Sequence, residues 1–193
     1  MSFRPFVAFP RGVPMIPRPA ASEYPPFFAT YVDKVPEGDI LQQLSNQIED
    51  MRHCFGALTT EQAEYRYAPG KWSLKDILGH LADGERIFAY RALRFARSDR
   101  TNLPGFDQDT YVTSGAFQNR SADSLLDEFI LQRQANIILF SSMDEDTLAR
   151  SGMADGKDIT VQSILYILVG HIIHHIQVVK ERYQESFQFY TSG

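Results

Sequence analysis

Three histidines, His80, His171 and His175, lie inside strongly apolar helical patterns, and their type and spacing suit metal coordination. His171 and His175 are four residues apart, so on a helix they differ by about 40° in azimuth and roughly 6 Å along the axis. Two imidazoles of one helix can then address one ion. His80 stands much earlier, in Gly79-His80-Leu81, a local pattern that Gly170-His171-Ile172 nearly repeats. Three nitrogen ligands without an evident fourth is the count of a catalytic metal site, whose open position holds water or substrate. Zinc and nickel both suit imidazole, and spacing does not separate them.

Each histidine also has a plainer reading as a hydrogen-bonded core residue. A neutral imidazole in a core needs partners for both ring nitrogens, and each orphaned group costs about 1–3 kcal/mol. A metal takes one nitrogen of each ring and leaves the other to donate to a carboxylate or carbonyl. His174 also shares a face with His171, at spacing three. The four-residue pair is nearer a single azimuth, so His175 is the expected ligand, and His174 is a neighbour of the site or a polar edge residue. Gly79 and Gly170 lack side chains where bulk would hold two helices apart, which leaves room for an ion or forms only a packing notch. Asp83 and Glu85 are the candidate catalytic bases. Asp83 shares the face of His80 and could orient an imidazole, bind the metal or activate water; its plainer reading is a solvated ion pair with Arg86 or a neighbouring helix. His53 is expected at the surface.

The elements that must carry these groups are helical. One apolar face, Ile40, Leu41, Leu44, Ile48, Met51 and Phe55, predicts a first helix over 39–58. Ser73 with Asp76 resembles a capping box, so a second helix starts there and runs to about Ala96. Ser121 is a good N-cap for a third, reaching about Met143, with Asp123, Asp127 and Glu128 near its positive end. Asp155-Gly156 marks a turn, and a last helix over 160–183 is apolar almost all round, hence the most buried. Residues 98–120 read as a long loop in which Phe106 and Tyr111 could line an apolar pocket. Strand alternation is absent wherever the architecture would need it. The fold expected is all-α, a four-helix bundle over 39–183 that builds its metal site from facing helices. Eight of the ten prolines fall within the first 36 residues, so 1–38 reads as an extended, aromatic-rich arm, and 184–193 as a tail.

The chain of 193 residues is 44% hydrophobic and 22% charged, an ordinary globular composition. A net charge of −5 and scattered basic residues argue against nucleic acid as partner. The longest apolar stretch, 161–179, carries three histidines and two glutamines, which are costly in hydrocarbon, so no membrane span is expected. Prolines 5, 10 and 14 break any signal-peptide core. The single cysteine, Cys54, excludes an internal disulfide framework, fits a reducing cytoplasm and falls in the apolar register of the first helix.

The stretch from Tyr67-Ala68-Pro69-Gly70-Lys71-Trp72-Ser73 through Gly79-His80-Leu81-Ala82-Asp83-Gly84-Glu85-Arg86 to Arg91, with Leu103-Pro104-Gly105-Phe106-Asp107 and Gly170-His171-Ile172-Ile173-His174-His175, closely resembles the DinB-like family of metal-dependent bundle proteins. The resemblance covers 15–183. It implies a four-helix bundle with three histidine ligands, one from the second helix and two from the fourth, which fall on His80, His171 and His175. It also implies an enzyme acting on a small molecule, either a hydrolase or an S-transferase using a low-molecular-weight thiol, and a homodimer. With no suitable cysteine at the inferred site, that thiol comes from outside, and Arg86, Arg91 or Arg94 could bind a carboxylate on it. The rival is a non-catalytic metal- or ligand-binding bundle, a stress-related or dimerisation module. Met15-Ile16-Pro17-Arg18-Pro19 looks like the usual beginning of relatives, so 1–14 is expected to be an extra arm, or translation to start at Met15.

Overall fold

The structure, a computed structural model, describes residues 15–183. The expectations for residues 1–14 and for the 184–193 tail fall outside the described residues. From the amino end, two single 3₁₀ turns (Ala21–Glu23 and Pro26–Phe28) lead into a short helix α1 (Ala29–Val32). Pro17 and Pro19 lie in a stretch without helix or strand, whereas Pro26 takes the first position of its turn, where a missing N–H costs nothing, so the arm is not extended throughout.

α2 (Ile40–Phe55) starts at Asp39, whose carboxylate accepts from the amides of Leu41 and Gln42. α3 (Thr60–Glu64) is a single capped turn in the following connection. α4 (Leu74–Ala96) begins on a reciprocal capping box: Ser73 Oγ accepts from the Asp76 amide at 3.1 Å, and Asp76 Oδ2 accepts from the Ser73 amide at 2.9 Å. α5 (Gln108–Gly115) lies within the segment read as a loop; its Thr, Ser, Gly and Tyr residues are weak helix formers and hide it from pattern reading. α6 (Ala122–Ser141) is capped by Ser121, and α7 (Glu145–Leu148) is one turn. Two four-residue strands follow, β1 (Ser151–Ala154) and β2 (Lys157–Thr160), paired antiparallel with Ser151 opposite Thr160. Asp155 and Gly156 turn this hairpin with φ of 54° and 70°, a left-handed pair that matches strand twist. The expectation of no strands is therefore corrected; four residues are too few for period-two alternation to stand out. α8 (Val161–Arg182) starts at Thr160 and is mostly buried.

α2 and α4 each pack on both α6 and α8. The first and second long helices thus lie on one diagonal of the bundle (α2 from α4) and the third and fourth on the other (α6 from α8), while α4 and α6 are neighbours. The chain has to cross the bundle ends between diagonal partners, which accounts for the structured connections at 56–73 and 142–160. The four long helices agree with the expected all-α bundle. The arm is no appendage: Ile16, Tyr24, Val32 and Val35 belong to the same buried core. Arg18 fastens it, donating to the carbonyls of Val32 and Val35, and Tyr166 Oη donates to the Ile16 carbonyl at 3.0 Å. Among the described residues α8 is the one helix long and apolar enough to cross a membrane, and the bundle buries it.

Candidate metal centre

α4 presents His80 from its second turn and α8 presents His171 and His175 one turn apart, and the two helices pack against each other. The three rings form a nearly equilateral triangle, with centroids 4.9, 4.9 and 4.7 Å apart. One nitrogen from each ring lies within 4.8 Å of the others, and the Nε2 atoms of His80 and His171 stand 2.9 Å apart. Ligands 2.0–2.1 Å from a tetrahedral ion are roughly 3.3 Å from one another, so small ring rotations suffice to bring all three onto one ion. The 2.9 Å contact also has the length of an N–H···N bond between neutral imidazoles.

All three histidines are buried. Burial pushes the pKa of His80 down to about 4, with the charge of His174 acting in the same direction. His171 and His175 are held well below the ordinary value, first by burial and then by repulsion from the neighbouring rings. Neutral imidazoles keep lone pairs, so the chemistry of this donor set fits a divalent ion. Trp72 closes one side, its ring 4.8 Å from His80 and stacked at 13° on His175. Tyr31 of α1 meets His171 edge-on at 5.2 Å and His174 at 5.5 Å.

The glycines work differently from expectation. A Cβ on Gly79 would stand 2.5 Å from the Phe117 ring, and one on Gly170 would collide with the Tyr31 carbonyl oxygen. These notches admit a ring and a backbone, not an ion. The glycine that faces a histidine is Gly84, where a Cβ would lie 3.1 Å from His171 Cε1.

The two carboxylates named as candidate bases are not brought to the histidines. Glu85 is 1% exposed, and both its oxygens are taken: Oε1 accepts from Arg133 Nε at 2.9 Å and from Asn136 at 2.8 Å, and Oε2 accepts from Arg133 Nη2 at 2.8 Å. Five residues beyond His80, it points into the bundle interior. Asp83 is half-buried near Glu128, Arg86 and Arg120; burial and the Glu128 charge raise its pKa, and the two arginines oppose that. His174 is half-buried beside His175, and His53 is exposed. Cys54 is partly buried, and burial raises its thiol to about 11, far from a reactive thiolate.

Arg133, which pattern reading passed over, completes a buried network. It is 0% exposed, bonds Gln47 Oε1 at 2.7 Å and the Leu44 carbonyl at 3.3 Å, and Gln47 donates to the Val169 carbonyl at 2.8 Å. The ion pair joins α4 to α6, and its hydrogen bonds extend through Gln47 to α2 and α8, so the network ties all four long helices together near His171. The signal was available: Arg133 interrupts the apolar run of α6.

Two openings flank the triad. A cavity of about 310 Å³ is lined by His80, His171, Phe28, Phe88, Arg91 and Phe106. A wider cleft of about 840 Å³ reaches His175 and His174 past Trp72, Arg66 and Lys71. The Tyr111 ring lies 5.2 Å from that of Phe106, tilted at 53°.

A profile of the DinB superfamily matches residues 43–179, most of the bundle. The chain belongs to the DinB superfamily. Among solved structures, this DinB protein is similar to YfiT from Bacillus subtilis, a probable metal-dependent hydrolase with an unusual four-helix bundle topology. The TM-score is 0.68 at 16% identity, over 79% of this chain and 90% of that one. It is also similar to a mycothiol-dependent maleylpyruvate isomerase, with TM-score 0.61 at 10% identity, over 76% of this chain and 61% of that one. At such identities the likeness is one of fold. No curated protein matches the chain.

Proposed function

We propose that this DinB protein is a metal-dependent enzyme in which His80, His171 and His175 hold one divalent ion, zinc or nickel, and leave a coordination position open to a small molecule. The observation that carries the reading is the convergence of three buried ring nitrogens within 4.8 Å from two helices. A divalent ion in that position would supply Lewis acidity and favour the deprotonated form of a water or thiol beside it. The chain's own part is to keep three imidazoles neutral, to wall the centre with Trp72 and Tyr31, and to admit reactants from two sides.

Between hydrolysis and transfer from a low-molecular-weight thiol, the two openings favour transfer. The small aromatic cavity suits an electrophile, and the wider cleft with Arg66 and Lys71 suits a larger polar cosubstrate. In such a transfer the thiol gives its proton to solvent, its sulfur forms the new bond to carbon, and the leaving group departs with the bonding pair. The failure of Asp83 and Glu85 to reach the histidines also weighs against a protein base for water. The cytoplasmic setting and the homodimer belong to this proposal, the first supported by the single cysteine.

Metal analysis of tag-free protein tests the centre. About one divalent ion per chain is expected, lost in each of His80→Ala, His171→Ala and His175→Ala. Trp72 is the only tryptophan, so quenching of its fluorescence by cobalt or nickel reports binding at that place. Equal metal content in wild type and all three variants would refute the ligand set. Metal-dependent consumption of a thiol with a generic electrophile then separates an enzyme from a non-catalytic binding bundle, which would show stoichiometric metal and no turnover.

A further inference from the structure

Two arginines are buried in this bundle, and their surroundings differ. Arg133 has its carboxylate in Glu85. Arg91 is 7% exposed, yet among the described residues it forms no ion pair; its Nη2 donates to the neutral Pro104 carbonyl at 2.9 Å. Its Cζ lies 5.7 Å from the Phe88 ring and 5.8 Å from the Phe106 ring. A guanidinium carries five N–H donors in a planar fork that matches a carboxylate, and a cation held out of water by rings and one carbonyl is short of an anion.

The position of Arg91 says where that anion would come from. It is eleven residues beyond His80, about 20° away in azimuth on α4, and lines the same cavity as His80 and His171. The Phe88 ring stands 6.4 Å from His171 and 5.7 Å from Arg91 Cζ, so one aromatic ring separates the cation from the imidazoles. The other charges on the cavity wall are already engaged. Lys157 pairs with Asp155 at 3.5 Å, and Asp107 Oδ1 accepts from the Thr110 amide at 2.7 Å. Burial lowers the pKa of Arg91, and Asp155 opposes this through space without a bond. Arg86 and Arg94 are not rivals, being paired with Glu128 and Asp99. A cavity near 310 Å³ is at the small end of ligand sites.

We propose that this cavity takes a small carboxylate with an apolar or aromatic body, anchored by Arg91, packed between Phe28, Phe88 and Phe106, and directed with its other end to the three histidines. The reacting end rests on the metal-centre reading; the anchor does not.

The test uses full-length protein stripped of metal, so that no ion can attract the carboxylate. Binding of 3-phenylpropanoate is compared with that of 3-phenylpropanamide by calorimetry or ligand-observed NMR. Wild type is expected to prefer the carboxylate by about tenfold or more, the value of one charge-assisted bond. Arg91→Gln should erase the preference, and Arg86→Gln, outside the cavity, should keep it. A preference that survives Arg91→Gln, or no binding of either compound at millimolar concentration, overturns the proposal. Should Arg91→Gln fail to fold, wild-type crystals grown with 3-phenylpropanoate decide. A carboxylate about 3 Å from the guanidinium supports the anchor, and one seated elsewhere refutes it. The preference of the stripped protein and the metal content of the native one are separate readouts, so either reading can fail alone.

Discussion

Gly84 faces His171 across the α4–α8 contact, where an added Cβ would stand 3.1 Å from the ring. Alanine there gains about 1 kcal/mol of helix propensity but presses on an imidazole whose orientation sets the donor triangle. Gly84→Ala should therefore keep or raise the thermal midpoint of metal-free protein while weakening metal affinity by about tenfold. Competition against a chromophoric chelator measures the affinity, and an unchanged value would show that the ring does not depend on that gap. At this scale the spacing of His171 and His175 and the apolar setting of His80 were legible in the chain. The role of Gly84 was not, because a glycine four residues past a histidine signals nothing until the facing helix is known.

α6 contributes the cation that the interior had to neutralise. Arg133 and Glu85 are both essentially unexposed and are joined by two hydrogen bonds, with Asn136 and Gln47 filling further positions. Removing one partner leaves a buried charge without compensation, so Arg133→Met should cost about 3–5 kcal/mol. Glu85→Leu together with Arg133→Met should recover much of that loss, since apolar replacement of a buried pair is often neutral. Urea unfolding of the single and double variants measures the coupling; a double variant as unstable as Arg133→Met alone would mean that packing, not charge, is at stake. Reading Glu85 as a base from its distance to His80 failed for a reason of geometry. Five residues on a helix rotate the side chain by about 140°, away from the histidines and toward α6.

Across the whole molecule, the arm decides how closed the centre is. Tyr31 reaches His171 and His174, Phe28 packs on Phe88 at 5.8 Å, and the Tyr31 carbonyl fills the notch at Gly170. Gly170→Ala would drive a methyl into that carbonyl and force α1 off α8. We expect a loss of about 1–3 kcal/mol in stability and faster proteolytic cleavage of the arm, followed by mass spectrometry of the fragments. Cleavage at the wild-type rate would show that α1 shifts without detaching.

The chain alone determined the four long helices, the caps at Ser73 and Ser121, and the three histidines. Those features are written in local periodicity and in side chains that bond their own backbone within three residues. Only the tertiary structure decided that neither candidate carboxylate meets the imidazoles, which arginine is buried without an ion pair among the described residues, and what occupies the glycine notches. Each of those depends on residues tens of positions apart meeting across the diagonal order of the bundle, which helical spacing along one segment does not encode.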